Sequence, residues 1–132
     1  MATETPGRMG SGNPVHWFEI PASDLARARS FYEKVLGVEL TPIEQGAIRM
    51  AWFPRRPDAH GSAGGLIEGD DRAPSRVGTL VYLTVDDIDA TLARVGELGG
   101  TVVLPRTAFD QGAVAKFVDS EGNLVALFSA GG

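Results

Sequence analysis

The sequence predicts an α+β fold made of two copies of a βαβββ module. Residues 17–42 and 82–105 each contain, in order, a strand pattern, a capped helix, a glycine, a second strand and a proline. The matching residues share an offset of 63: Asp24 and Asp87, Gly37 and Gly100, Pro42 and Pro105. Self-similarity at a fixed spacing is the signature of a duplicated unit. Two such units should form two half-shells, with a small-molecule cleft between them.

Composition and charge narrow the class of function. With 132 residues, 43% hydrophobic and 22% charged, the chain resembles an ordinary globular domain. A net charge of −5 argues against nucleic-acid binding, which needs a basic surface. We find neither an apolar run of the roughly 18 residues of a membrane span nor a signal-peptide pattern. We therefore expect a cytoplasmic protein with no nucleic-acid or membrane partner. Because there is no cysteine, disulfides and thiol chemistry are excluded.

The chain divides into a tail and one domain. Residues 1–13 are small, polar and interrupted by Gly and Pro, which predicts a disordered tail. The domain covers 14–130, with module one at 14–69, a linker at 70–78 and module two at 79–130. A long loop rich in Pro and Gly, inside module one, is expected to shape the mouth of the cleft.

Hydrophobic periodicity places the elements of each module. In module one we predict strands at 15–20, 38–41, 47–53 and 66–68, and a helix capped at Ser23 or Asp24 and ended by Gly37. In module two we predict a helix at 87–98 and strands at 80–85, 101–104, 113–118 and 124–128. The register of the strand at 47–53 is not fixed by the sequence, although Met50 and Trp52 share one of its faces.

Five segments carry a resemblance to a known family, at residues 24–32, 36–37, 85–89, 99–100 and 117–124. They resemble the vicinal oxygen chelate superfamily, which includes glyoxalase I, bleomycin-resistance proteins and extradiol dioxygenases. The resemblance spans about the whole predicted domain. It implies a mixed sheet curled around a cleft, helices on the outside, and a homodimer. It does not by itself define an activity, because one fold supports many functions.

Enzymes of that family typically hold a divalent metal with His and Glu on the opening and closing strands of the modules. The resemblance assigns the closing positions to Glu68 and Ala126, and the opening position of module two to Leu80. Leucine and alanine cannot bind a metal. Strand parity turns His16 toward the helix, and His60 lies in a loop, so too few ligands remain. We therefore predict no metal site and no cofactor.

Strand parity also predicts which side chains line the cleft. In module two, alternate residues must face the helix, which leaves Tyr82 and Thr84 for the cleft. An offset of 65 then assigns Trp17 and Glu19 to the cleft of module one. The predicted ligand-binding residues are Trp17, Glu19, Trp52, Glu68, Tyr82, Thr84, Ala126 and Phe128. This set suits a flat ligand with a polar or cationic group. Packing of the sheet or of a dimer interface is the alternative explanation for the aromatic residues.

Three functions remain open. We favour a small-molecule binder of the bleomycin-resistance kind that works without a metal. The second is a metal-dependent lyase, isomerase or dioxygenase of the glyoxalase type. The third is a metal-free enzyme in which Glu19 or Glu68 is the catalytic base, because two carboxylates in one apolar cleft would hold a proton more readily. An ordinary hydrogen-bonding role is the alternative for both carboxylates.

Overall fold

The structure is a computed structural model that describes residue 10 and residues 12–131. The tail predicted at 1–13 thus lies almost entirely outside the described residues. The elements follow in the order β1 (Trp17–Pro21), α1 (Leu25–Leu36), β2 (Thr41–Gln45), β3 (Ile48–Trp52), β4 (Ala63–Glu68), β5 (Tyr82–Thr84), α2 (Ile88–Glu97), β6 (Thr101–Phe109), β7 (Gly112–Val118) and β8 (Leu124–Ser129). Neither helix of this part of the chain is long and apolar enough to cross a membrane. The repeated βαβββ order is confirmed.

The strands form two mixed sheets, one in each module. Sheet A has the order β1-β4-β3-β2, and sheet B has the order β5-β8-β7-β6. In both sheets the opening strand pairs in parallel with the closing strand, and the other pairs are antiparallel. The α+β class and the two modules are therefore confirmed. The strands belong to two separate four-stranded sheets, however, and not to one continuous curled sheet.

Both helices begin at aspartates that the repeat placed at equivalent positions. Asp24 accepts a hydrogen bond from the backbone N–H of Arg27 at 3.1 Å, and Asp87 accepts one from Ala90 at 3.0 Å. Each cap satisfies a donor that the first helical turn leaves unpaired, and typically contributes about 1 kcal/mol. Gly37 ends α1 with φ at 66°, a left-handed conformation that glycine adopts without strain. The predicted helix signals are confirmed.

The two repeated prolines mark edge strands and not strand ends. We expected the second strand of each module to stop before Pro42 and Pro105. Instead both prolines lie inside strands, Pro42 in β2 and Pro105 in β6. Because β2 and β6 are the outermost strands, a residue without an N–H removes no hydrogen bond from the ladder. As a result β6 continues past two register shifts to Phe109, well beyond its predicted end at residue 104.

One hydrophobic core joins the two modules through their helices. The helices α1 and α2 pack against each other, and each also packs on its own sheet. Phe31 of α1 extends toward β7 of the other module, where its ring centroid lies 6.2 Å from that of Phe117. Within the described residues, no strand of sheet A contacts a strand of sheet B. Each sheet therefore keeps one face that is turned away from the shared core.

The turn before the last strand fastens module two to the beginning of module one. This turn comprises residues 119–123, between β7 and β8. In the structure, the Glu121 carboxylate accepts the backbone N–H groups of Ser23 at 3.0 Å and Asp24 at 2.9 Å. It also forms a salt bridge with Arg27 at 2.7 Å. A carboxylate from one module thus completes the start of the helix in the other.

Acid should weaken this contact between the modules. Burial disfavours the ionised form of Glu121, but hydrogen bonds from Arg27, Asp24 and Ser120 outweigh it and hold its pKa below the ordinary value. A lowered pKa in the folded state stabilises the fold above an unfolded pKa of about 4.3, and this stabilisation is lost as the pH falls through the folded pKa. We expect Glu121→Gln to lower the free energy of unfolding by about 1–2 kcal/mol at about pH 7.

Urea unfolding of the wild type and Glu121→Gln at neutral and acid pH measures this difference. The difference between the two proteins should shrink at about pH 3, because the wild-type carboxylate is then losing its charge. Glu39→Gln is the control. Glu39 is exposed, so this substitution removes the same charge without removing the contact between the modules. A difference that is equally large at both pH values would contradict the assignment.

Candidate functional site

The faces turned away from the core follow from the alternation of side chains along the strands. Ile20, Ala51 and Leu66 of sheet A are buried in the core, as are Ala115 and Leu127 of sheet B. Their neighbours along each strand therefore lie on the opposite side. We name these surfaces open face A, formed by Trp17, Glu19, Ile48, Met50, Trp52 and Ile67, and open face B, formed by Tyr82, Thr84, Phe109, Val114, Lys116, Ala126 and Phe128.

Open face A is centred on two tryptophans. The ring centroids of Trp17 and Trp52 are 5.3 Å apart with their planes at 72°, an edge-to-face contact. Trp52 pairs in register with Gly65, where an added Cβ would lie 2.9 Å from the Trp52 ring. This pairing fixes the strand register that the sequence left open. It places Trp52 beside Trp17, so the two predicted aromatic residues of module one lie together.

Glu19 lies on open face A but is already paired within the chain. Trp17 Nε1 donates to Glu19 Oε2 at 3.1 Å, and Arg72 donates to Glu19 Oε1. The hydrogen bond and the charge of Glu19 raise the pKa of Arg72 above its ordinary value. Arg72 lies in the linker between the modules. Because the linker is not a strand, the alternation of side chains does not predict which way Arg72 points, and it was not among the predicted site residues. Neither oxygen of Glu19 is left without a partner.

The structure corrects the position of Glu68. We expected it in the cleft, but it lies on the core side of sheet A, the same side as Leu66. Its Oε1 accepts the backbone N–H of Leu25 at 2.7 Å, and its Oε2 accepts a hydrogen bond from Arg49 at 3.2 Å. The cause is the equivalence that we assumed between Glu68 and Ala126. In the structure Ala126 pairs with Tyr82 as Ala63 pairs with Trp17, so Ala63 is the counterpart of Ala126, and Glu68 lies an odd number of residues further along β4. A shift of one position moves every side chain of a strand to the other face.

Open face B contains a shallow cavity of about 430 Å³ that is widely open to solvent. It is lined by Tyr82, Phe109, Gln111, Val114 and Phe128. The ring centroids of Phe109 and Phe128 lie 6.2 Å apart, and Tyr82 and Phe109 are about half exposed. Tyr82 and Phe128 are among the residues predicted from the sequence, whereas Phe109 and Gln111 are not, because β6 extends beyond its predicted end. The alternation along β7 was a signal that would have found Val114.

The predicted site residues are divided between the two open faces. On open face B, Thr84 pairs in register with Phe128, and Ala126, which is fully buried, pairs with Tyr82. Trp17, Glu19 and Trp52 form a second group on open face A. In the described residues, no hydrogen bond, salt bridge or aromatic pair joins the two groups, and the cavity is lined by module two alone. The predicted site residues therefore lie on two separate surfaces of the chain.

A family model matches almost the whole of the repeated region. The model of the Glyoxalase/Bleomycin resistance protein/Dioxygenase superfamily aligns with residues 15–127. The chain belongs to this superfamily, in agreement with the resemblance found in its sequence motifs. No curated protein matches the chain in sequence.

Solved structures share the fold at low sequence identity. A glyoxylase/bleomycin resistance protein/dioxygenase domain from Frankia sp. EAN1pec has a TM-score of 0.69 and 15% identity, over 91% of this chain and 99% of that one. A glyoxalase/bleomycin resistance protein from Albidiferax ferrireducens T118 has a TM-score of 0.66 and 18% identity, over 89% and 98%. Glyoxalase I from Zea mays has a TM-score of 0.64 and 20% identity, over 93% of this chain but 48% of the maize chain, so this chain spans about half its length. At these identities the likeness shows the fold alone.

The side chains at the predicted metal positions do not fit a divalent metal. Ala126 offers no ligand atom, and Glu68 lies on the wrong side of sheet A. His16 is exposed ahead of β1, and His60 is exposed in the loop that follows β3. In the described part of the chain, no three His, Cys, Asp or Glu side chains are grouped closely enough to hold an ion. Catalytic zinc sites typically use about three protein ligands, which these residues do not supply.

Proposed function

We propose that the chain binds a small organic molecule at its open faces without a divalent metal. The cavity on open face B carries this proposal. Its volume of about 430 Å³ lies within the range of roughly 300–1,000 Å³ that is usual for small-molecule sites. Tyr82, Phe109 and Phe128 give it aromatic walls, against which a planar ring would stack. The tryptophan pair of open face A offers a second surface of the same kind.

In this proposal a second copy of the chain supplies the missing wall of the cavity. Tyr82 and Phe109 on open face B are 51% and 45% exposed, and Ile48 on open face A is 47% exposed. Grouped large apolar side chains of this kind favour a covering surface. Because no strand of sheet A contacts sheet B within the described chain, open face A of a second copy covers open face B. The resulting homodimer contains two equivalent sites.

The geometry gives less support to the two enzyme alternatives. A metal-dependent lyase, isomerase or dioxygenase needs a ligand set that the described residues do not provide. A metal-free base needs a carboxylate oxygen that can take a proton from the ligand. Both oxygens of Glu19 and both oxygens of Glu68 already have partners in the chain.

Native mass spectrometry of the purified protein tests the dimer and the absence of a metal in one measurement. We expect the mass of two chains, without nickel, zinc, iron or manganese. A stoichiometric metal would contradict the metal-free proposal and favour the metal-dependent alternative. A protein that is monomeric and still binds the fluorescent probe described next would contradict the role of the second copy.

Titration with the neutral fluorescent probe N-phenyl-1-naphthylamine tests the cavity. We expect the wild type to bind it, and Phe109→Ala to weaken binding by about tenfold, because one aromatic wall is removed. Val77→Ala is the control, since Val77 is 84% exposed and lies outside the cavity. Absence of probe binding, or equal affinity in Phe109→Ala and the wild type, would contradict the cavity as the binding site.

A further inference from the structure

We propose that Lys116 makes open face B selective for planar aromatic molecules that carry an anionic group, with an aromatic carboxylate as the natural class of ligand. This inference rests on the proposed function and adds the charge of the ligand to it. It reverses the expectation drawn from the sequence, in which Glu19 and Glu68 received a cationic group. Neither carboxylate is available for that purpose on open face B.

Lys116 lies in the row of residues that crosses the centre of sheet B. It pairs in register with Ala126 of β8, and Ala126 pairs with Tyr82 of β5. Along β7 it follows Val114 by two positions, so both side chains project from the same face, and Val114 lines the cavity. At a strand spacing of about 4.8 Å, the backbones of Lys116 and Tyr82 are about 10 Å apart. Only the methyl group of Ala126 stands between them. Lys116 does not itself line the cavity, but its side chain is long enough to extend to a ligand bound there.

Lys116 has no charged partner among the residues that the structure describes. None of the strands β5, β6, β7 and β8 contains Asp or Glu. Lys116 forms no salt bridge with any residue that the structure describes, and it is only partly exposed. A lysine without a counter-charge among these residues can form a charge-assisted hydrogen bond with a carboxylate brought by a ligand. On open face A the situation differs, because Arg72 already pairs with Glu19.

The side chains near Lys116 indicate which other chemical features the ligand should have. Phe109 and Phe128 pack against each other with ring centroids 6.2 Å apart and form an aromatic surface on which a ligand ring can stack, while Lys116 lies to one side of them. Gln111 and the Tyr82 hydroxyl supply neutral hydrogen-bonding groups at the cavity wall. An aromatic carboxylate satisfies the apolar wall and the ammonium group together, whereas a cationic aromatic molecule would be repelled by Lys116.

Two fluorescent probes that differ mainly in charge test this inference. The first is 8-anilinonaphthalene-1-sulfonate, and the second is N-phenyl-1-naphthylamine, which has the same rings without the sulfonate. We expect Lys116→Met to weaken binding of the sulfonate about tenfold and to leave the neutral probe within about twofold. Lys116→Arg keeps the charge and should keep the sulfonate affinity. Lys34→Met, an exposed change of the same kind on α1, should affect neither probe.

The possible outcomes separate the two proposals. If the wild type binds neither probe, the small-molecule function fails and the inference about Lys116 fails with it. If the wild type binds both probes and Lys116→Met lowers both affinities equally, Lys116 acts through packing and the anion assignment is overturned. Unchanged affinity for both probes in Lys116→Met overturns it as well. Selective loss of the sulfonate, with circular dichroism showing an intact fold, supports it.

Discussion

Replacing Asp119 with alanine is expected to lower the free energy of unfolding by about 3 kcal/mol or more. Asp119 is 3% exposed and lies at the junction of the two modules. Its carboxylate accepts a hydrogen bond from the Tyr32 hydroxyl at 2.6 Å and from the backbone N–H groups of Glu121 and Asn123 at 2.9 Å each. Alanine would leave these donors without partners, and a buried unsatisfied donor costs about 1–3 kcal/mol.

Urea unfolding followed by circular dichroism measures the effect, with Tyr32→Phe as the matched comparison. Burial, followed by the charge of Asp119 and its hydrogen bond, raises the pKa of Tyr32 well above the ordinary value, so the hydroxyl remains a donor at neutral pH. Tyr32→Phe removes one donor and keeps the ring, so we expect a smaller loss of about 1–2 kcal/mol. An Asp119→Ala protein as stable as Tyr32→Phe would show that the turn does not depend on this carboxylate.

Two glycine-to-alanine changes should shift stability in opposite directions. Gly112 begins β7 with φ at 147°, and an added Cβ would lie 2.2 Å from the backbone oxygen of Ser129 on β8. Since neither strand can move without breaking the ladder, we expect Gly112→Ala to cost about 3 kcal/mol or more. Gly96 lies in α2, and an added Cβ there would meet no atom within 4 Å. Gly96→Ala should stabilise the protein by about 0.5–1 kcal/mol through helix propensity.

Thermal and urea unfolding of the two glycine variants, measured side by side, gives the sign of each effect. The pair controls for the chemical change, because both variants add the same methyl group. Gly112→Ala should also weaken binding of N-phenyl-1-naphthylamine, since Gln111 and Phe109 next to it line the cavity. A shift of the same sign in both variants would mean that close contact at Gly112 does not limit stability.

Local signals made the helices predictable, whereas the strand ends depended on tertiary structure. Asp24, Asp87 and Gly37 act on backbone groups within a few residues, so their roles follow from the sequence itself. Pro42 and Pro105 were misread because a proline ends a central strand but is tolerated in an edge strand. Which strand is outermost depends on pairing between distant segments, and the repeat alone did not reveal it.

In the candidate site, too, the residues that follow from local patterns were predictable and those that depend on tertiary structure were not. Trp17 and Tyr82 lie on the side of their strands that the alternation predicts, because the opposite side of each strand is clearly apolar, and their role in ligand binding stays a prediction. Glu68 was misplaced because it was aligned with Ala126, whereas the strand pairing makes Ala63 the counterpart of Ala126, and an odd shift moves a side chain to the other face. Arg72 was missed because it lies between strands. The alternation of side chains along β7 also predicts that Lys116 lies on open face B, on the same side as Val114.

The start of α1 is shared between the two halves of the duplication. Glu68 of the first half accepts a hydrogen bond from the backbone N–H of Leu25. Glu121 of the second half accepts hydrogen bonds from those of Ser23 and Asp24. A fragment that ended before the second half would leave two of these amides facing water. The start of α1 thus depends on residues of both halves, and we expect it to be less stable in a fragment that contains the first half alone.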